Sequence, residues 1–248
     1  HLVTLTAVNA TTGNQVTTFI YGTTLADSDL ATNDLLRCKI FPDSSDTTPT
    51  GTDQVKFEYN RLREIRKQTD QLGTIHTVEY DKLGRLSHDR VTTFGTGVDQ
   101  SVRRISRPYE VRGLLEKLTS YDNATVGSGS IVNEVQYAYN TFSQLVTEYQ
   151  SHSGAVNTST SPKVQYAYSD GSANHIRRTS LTYPSTKVVT YDYGTSNGGD
   201  DLLSRVAALK ESTTTLVEYS YLGLSTFVRA NYSSQPGVEL TYIKQGSE

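Results

Sequence analysis

Apolar and polar positions along this chain alternate with a period of two, in short bursts that recur. The clearest burst is Val135-Gln136-Tyr137-Ala138-Tyr139-Asn140, which returns almost verbatim as Val164-Gln165-Tyr166-Ala167-Tyr168-Ser169, 29 residues later. Val189-Thr190-Tyr191-Asp192-Tyr193 and Val217-Glu218-Tyr219-Ser220-Tyr221 follow the same scheme. Val55-Lys56-Phe57-Glu58-Tyr59, Val78-Glu79-Tyr80 and Thr17-Thr18-Phe19-Ile20-Tyr21 are looser versions. Successive side chains of a strand point to opposite faces, so Val135, Tyr137 and Tyr139 share one face and Gln136, Ala138 and Asn140 the other. This predicts sheet with a packed aromatic face and a solvated polar one. Apolar residues do not recur at helical spacing. The one stretch open to two readings is 201–210, either a helix or a turn followed by a strand.

The last tyrosine of each burst serves as a marker: Tyr21, Tyr59, Tyr80, Tyr109, Tyr139, Tyr168, Tyr193 and Tyr221. The first interval is 38 residues and the later ones run from 21 to 30. A constant strand with variable spacing is the mark of a repeat whose loops accept insertions, and the first interval holds the loop-like stretch 43–51. A turn signal follows each marker. In Tyr80-Asp81-Lys82-Leu83-Gly84-Arg85-Leu86 the Asp81 side chain can hold the turn while Gly84 supplies a positive φ. One repeat is therefore a β-hairpin. The expected fold is all-β, with repeated hairpins forming a continuous curved antiparallel sheet. Residues 1–54 read as a degenerate first repeat with a long loop, 55–232 as the array, and 233–248 as a tail or the start of a further repeat.

Composition sharpens this picture. Hydrophobic residues make up 35% of the 248, too many for disorder yet lean for one thick core, which favours thin sheet. Seventeen Tyr against no Trp suits a β-surface packed on its rings and wet at its hydroxyls. The net charge of −3 gives no basic excess, so nucleic acid is not an expected partner. The basic clusters Arg61, Arg63, Arg66, Lys67 and Arg103, Arg104, Arg107 read as solvated strand faces. The single cysteine, Cys38, excludes an internal disulfide and a Cys-based zinc site, and its apolar neighbours predict a small buried side chain. No apolar run is long enough for a membrane span. A chain that starts at His1 and has no Met is expected to be a processed product or a piece of something longer.

The run Tyr80-Asp81-Lys82-Leu83-Gly84-Arg85-Leu86 resembles the YDxxGRL core of the YD repeat, the unit of the RHS family. Tyr109-Glu110-Val111-Arg112-Gly113-Leu114-Leu115 keeps Tyr109, Gly113 and the final Leu. Tyr139-Asn140-Thr141-Phe142-Ser143-Gln144-Leu145 keeps Tyr and Leu, with Ser143 in the glycine place, and Tyr59-Asn60-Arg61-Leu62-Arg63-Glu64-Ile65 replaces both Gly and Arg. The texture around Ser120-Tyr121-Asp122-Asn123 and 148–152 is similar to long RHS-like surface proteins of planctomycetes. The resemblance implies a β-ribbon that spirals into a hollow shell or solenoid, in toxin-related members around a C-terminal toxic domain. The Asp-Pro cap motif at which such members cleave themselves does not occur in this sequence.

Catalytic signatures are missing. His1, His76, His88, His152 and His175 are scattered, no nucleophile elbow or phosphate loop is present, and no cofactor or metal is expected. The oxygen-rich stretches Asp27-Ser28-Asp29, 43–46 and Asp200-Asp201 read as solvated turn acids, with weak calcium binding the alternative. The sequons at Asn9, Asn123, Asn157 and Asn231 are about as many as a Thr/Ser-rich chain has by chance. The expectation is a non-catalytic structural scaffold, secreted or at the cell surface, forming part of a shell wall. Two alternatives stand beside it: a self-assembling extracellular filament subunit, and an adhesin module in which exposed tyrosines bind a glycan or a receptor. Its partners would be neighbouring repeats of the same polypeptide or other copies of itself.

Overall fold

The computed structural model describes residues 1–11, 13–42, 54–171, 175–233, 235 and 238–242. The acidic stretch 43–46 and most of 233–248 lie outside them. The chain divides into two compact units, His1–Val135 with Ser151–Val156, and Gln136–Gln150 with Asn157–Glu248. The first holds β1 (Thr4–Ala7), β2 (Gln15–Thr23), β3 (Thr32–Ile40), β4 (Gln54–Tyr59), β5 (Ile65–Thr69), β6 (Ile75–Tyr80), β7 (Leu86–Thr93), β8 (Arg104–Ser106), β9 (Lys117–Tyr121) and the start of β10 (Ile131–Tyr139). The second holds the end of β10, then β11 (Leu145–Ser151), β12 (Lys163–Tyr168), β13 (Arg178–Thr182), β14 (Val188–Asp192), a single helical turn α1 (Gly199–Leu202), β15 (Ala208–Glu211), β16 (Thr214–Leu222), β17 (Thr226–Asn231) and β18 (Glu239–Thr241). Within each unit, strands pair antiparallel with their sequence neighbours. The all-β reading of repeated hairpins holds. Of the two readings of 201–210, the turn followed by a strand is the one adopted, with α1 ending at Leu202.

Asx turns close the hairpins. Asp81 Oδ1 accepts from the backbone N–H of Leu83 (2.8 Å) and Arg85 (3.0 Å), while Gly84 N–H donates to the Asp81 carbonyl. Asn60 and Asn140 hold their turns through the same pair of bonds, and so does Asp70 in the turn between β5 and β6. The residue at the glycine place always has positive φ: +75° at Gly84 and +89° at Gly113, but also +70° at Arg63 and +63° at Ser143. The degenerate copies therefore keep the geometry and accept left-handed strain that glycine would avoid.

The strand entering each marker tyrosine is irregular in the same way. Register shifts fall immediately before Tyr21, Tyr59, Tyr80, Tyr168 and Tyr221. In each case one residue of the partner strand is skipped, as Ser87 is between Leu86, opposite Tyr80, and His88, opposite Glu79. Ser87 satisfies the disturbed ladder by donating its hydroxyl to the Glu79 carbonyl (3.0 Å). Such bulges raise local twist and re-aim side chains.

The registers also identify the packed face. In the second unit Tyr166, Leu181 and Val189 lie in one rung, Tyr191, Leu209 and Val217 in another, and Tyr219, Ala230 and Leu240 in a third. Val189, Val217 and Ala230 are buried, so the tyrosine face is the packed one. The core is thin: few large apolar side chains are fully covered. Cys38 is completely buried, as expected, and its Sγ meets Gln54 Oε1 at 2.9 Å. Among the described residues no helix is long and apolar enough to cross a membrane.

Relieving the left-handed strain should stabilise the hairpins. Ser143→Gly and Thr186→Gly (φ +68°) are each expected to add about 0.5–1 kcal/mol in urea unfolding. Gly84→Ala should lose at least that much, because φ is +75° and the new Cβ would lie 3.1 Å from Glu64 Oε1.

Candidate functional site

Two sets of side chains carry chemistry in this fold: the motif residues, and a polar cleft in the first unit. The marker tyrosines act in one recurring way. Six of the eight hydroxyls donate to a backbone carbonyl of the preceding hairpin: Tyr59 to Leu36, Tyr80 to Ile65, Tyr109 to Leu86, Tyr168 to Leu145, Tyr193 to Arg178 and Tyr221 to Val206, at 2.7–3.0 Å. The acceptor lies 15 or 23 residues before its tyrosine in every case. Burial pushes the phenols of Tyr59, Tyr80, Tyr193 and Tyr221 up from their ordinary value, which keeps the donating proton in place. Tyr139 closes β10 and is half-buried.

The motif arginine works with them. Arg85 binds Asp81 of its own turn through Nε at 2.8 Å and lays its guanidinium over the ring of Tyr109, 4.2 Å from the centroid. Its Nη1 would lie 3.1 Å from a Cβ on Gly113, so the next turn needs glycine for room as well as for φ. The hydrogen bonds from Arg85 hold the Asp81 carboxyl below its usual value.

Arg177 and Arg205, absent from the sequence-predicted site, stand in the same place. Arg177 covers Tyr193 at 3.8 Å and pairs with Asp201; Arg205 covers Tyr221 at 4.8 Å and pairs with Asp200 at 2.5 Å. Each precedes the carbonyl that accepts the covered tyrosine's hydroxyl, as Arg85 precedes Leu86. The signal that finds them is a count backward from the next tyrosine, to the residue just before the acceptor of its hydroxyl. Asp27, paired with Arg37 at 2.5 Å, and Asp29, 3.6 Å from Arg66, are likewise matched by cations, and no group of three or more metal-ligating side chains occurs among the described residues.

The cleft, of about 700 Å³, opens beside β7, β8 and β9. Register places His88, Ser106 and Thr119 in one rung and Arg90, Arg104 and Tyr121 in the next. His88 Nδ1 lies 3.0 Å from Ser106 Oγ, and Thr119 Oγ1 donates to Glu134 Oε2 at 2.8 Å. Glu134, almost wholly buried, is also met by Lys117 Nζ at 3.2 Å and the Val156 N–H at 3.1 Å.

Arg104 is 2% exposed, which corrects the solvated-face reading of its cluster. Its guanidinium donates to the carbonyls of Asn123, Thr125 and Ser128, its Nε to Ser106 Oγ, and it stacks on Tyr121 at 3.9 Å. The loop 122–130 folds tightly enough over it that a Cβ on Gly129 would lie 2.5 Å from Asn123 Cβ. Alternation puts Arg104 inward, and the carbonyls of that loop replace its water. The other basic cluster stays half-exposed, with Arg63 paired to Asp34 and Lys67 to Glu58.

A hydroxyl against an imidazole is the geometry of a general-base pair. Here Ser106 is buried and its Oγ already accepts from Arg104 Nε at 3.2 Å, so the pair closes inside a structural network.

No protein-family model matches this chain, and no curated protein matches it. Among solved structures it is similar to the crystal structure of TcdB2-TccC3 without the hypervariable C-terminal region, at 11% identity over 94% of this chain and 15% of that one, with a TM-score of 0.30. It is similar also to TcdB2-TccC3-Cdc42, at 12% identity over 93% of this chain and 15% of that one (TM-score 0.29). A third is the Photorhabdus luminescens Tc holotoxin pore carrying the TccC3-D651A mutation, at 11% identity over 92% and 14% (TM-score 0.28). The chain spans about 15% of the length of these structures.

Burial pulls the His88 imidazole below its usual value of 6.5; Arg104 and Arg90 add to this while Glu79 opposes it. A histidine kept neutral by the fold leaves the unfolded chain to take up the proton first. Stability should therefore fall as pH drops below about 6.5, before the carboxylates titrate. His88→Gln is expected to flatten that part of the profile in urea unfolding measured between pH 7.5 and pH 5 (approximate bounds).

Proposed function

We propose that this chain is a stretch of YD-type β-repeat that works as a non-catalytic scaffold, a segment of wall in a larger extracellular or cell-surface protein. One observation carries the reading: among the described residues the same tyrosine-to-carbonyl bond recurs six times, three in each unit. A catalytic fold concentrates its unusual side chains at one place, whereas here they are distributed hairpin by hairpin. The match of Tyr80 to Leu86 with the YDxxGRL core agrees with it, and the structure gives each matched residue a load: tyrosine to the carbonyl, aspartate to the turn, glycine to positive φ and arginine to the next ring.

The exposed terminal strands favour partners made of more sheet. β1 is exposed along its length, with Leu5 at 58%, and so is β18. Neighbouring repeats of the same polypeptide fit such edges, and copies of this chain would give the filament instead. The adhesin reading is weaker. Guanidinium groups already cover Tyr109, Tyr121, Tyr193 and Tyr221, and Phe227 packs against Tyr219, Tyr221 and Tyr242, which removes ring surface a sugar would need.

Tyr168→Phe is the direct test. Loss of one partly buried hydrogen bond should cost about 1 kcal/mol and lower hydrogen-exchange protection in β11 to β13, with β2 and β3 unchanged. Uniform loss across the chain would contradict a repeat array. Sedimentation over a concentration series separates the assemblies: a monomer throughout supports the wall segment, and growth without limit supports the filament.

A further inference from the structure

Three hydrogen bonds from one side chain tie the loop 122–130 to the sheet. Arg104 reaches from β8 to the carbonyls of Asn123 and Ser128, both at 3.0 Å, and to that of Thr125. Burial adds little, since every residue of the loop but Ala124 is exposed. Arg104 is steered in turn by Ser106, whose Oγ accepts from its Nε at 3.2 Å and lies 3.0 Å from His88 Nδ1. A serine has one hydroxyl hydrogen, and Ser106 already accepts from Arg104. All three groups are satisfied when that hydrogen goes to an unprotonated Nδ1. A neutral His88 therefore completes a relay from β7 through β8 to the loop.

A proton on Nδ1 breaks that relay. The imidazolium becomes a donor, Ser106 must turn its hydrogen away, and two cations converge on one oxygen. The charges around His88 offer little relief. Arg90 on its own strand repels the proton, and Glu79, which attracts it from β6, is already paired with Arg90. Ser106 and Thr119 bring neutral side chains from β8 and β9, and beyond them Lys117 pairs with Glu134. Arg107 adds a further cation to the cleft lining, where Asp81 is taken by Arg85. We propose that His88, Ser106 and Arg104 form an acid-sensitive catch, which holds the loop 122–130 down while His88 is neutral and lets it lift once His88 takes up a proton. Lifting frees Arg104 to move into water and separates the two charges. The lifted state binds the proton more tightly than the closed one, where burial, Arg104 and Arg90 disfavour it. Falling pH therefore favours lifting from about 6.5 downward.

Hydrogen exchange of the whole chain, corrected for the intrinsic pH dependence of exchange, tests the catch. The N–H groups of Thr125, Ser128 and Ser130 are bonded within the closed loop and report on it. Protection of 122–130 should fall at least about threefold between about pH 7.5 and about pH 5.5, while β2 and β3 keep theirs. His88→Gln, which cannot take up the proton, should hold the loop's protection constant. His76→Gln removes a histidine paired with Asp89 instead and should leave the response intact. In the unaltered protein the amide NMR signals of Gly127 and Gly129 should titrate together with the His88 ring, a readout that needs no substitution. Thermal unfolding identifies any variant that fails to fold. The proposal is overturned by loop protection that ignores pH, by an equal fall in β2 and β3, or by glycine signals that titrate apart from the His88 ring. A response that survives in folded His88→Gln protein, or vanishes in folded His76→Gln protein, overturns it as well.

Discussion

A tyrosine hydroxyl reaching back to a backbone carbonyl is the contact on which this fold depends. A sheet of short hairpins with a lean apolar face has little burial to hold one hairpin to the next. The ladder is also broken by a bulge at most of the marker tyrosines. The hydroxyl bond sits where that weakness lies. Tyr80 pairs through its backbone with Leu86 in its own hairpin, and the Leu86 carbonyl then receives the hydroxyl of Tyr109. Backbone pairing and side-chain bond thus alternate from Tyr21 and Leu36, through Tyr59 and Ile65, to Tyr109 and Leu115. Each tyrosine bonded in this way is a member of two hairpins at once.

Arginine makes this arrangement more than a string of hydrogen bonds. A guanidinium over the ring limits how the phenol can tilt, and its acidic partner anchors it to its own turn or to the loop beside it. A stacked cation contributes about 0.5–2 kcal/mol, depending on desolvation, comparable to the hydroxyl bond it protects. Where the arginine is replaced, as by Glu64 or Gln144, the tyrosine bond of the following hairpin persists at Tyr80 and Tyr168. The hydroxyl contact is therefore the constant and the cation an addition to it.

Much of this was legible in the sequence, and the losses have identifiable causes. The period of two and the intact motif from Tyr80 to Leu86 lead directly to all-β hairpins, because alternation and turn chemistry are local properties. Arg177 and Arg205 are hidden from the motif's spacing because the turns after Tyr168 and Tyr193 have grown. What recurs is the step back from tyrosine to its acceptor, 15 or 23 residues, which depends on strand pairing and shows only once the register is known. The same holds for Arg104. As a member of a basic cluster it reads as solvated, and only pairing with Arg90 and Tyr121 places it inward beneath the loop 122–130. Bulges are equally silent in sequence, since a skipped residue such as Ser87 carries no distinctive chemistry of its own.

The turn between a marker tyrosine and its arginine runs from Tyr80 to Arg85 in the intact copy and from Tyr193 to Arg205 where α1 is inserted, yet the strands beyond it keep their partners. Positional information resides in the strands and leaves the turn free to drift. For an evolving lineage that is a site of graft: new peptide, of new length and composition, can be spliced into the rim of the sheet without disturbing what it is mounted on.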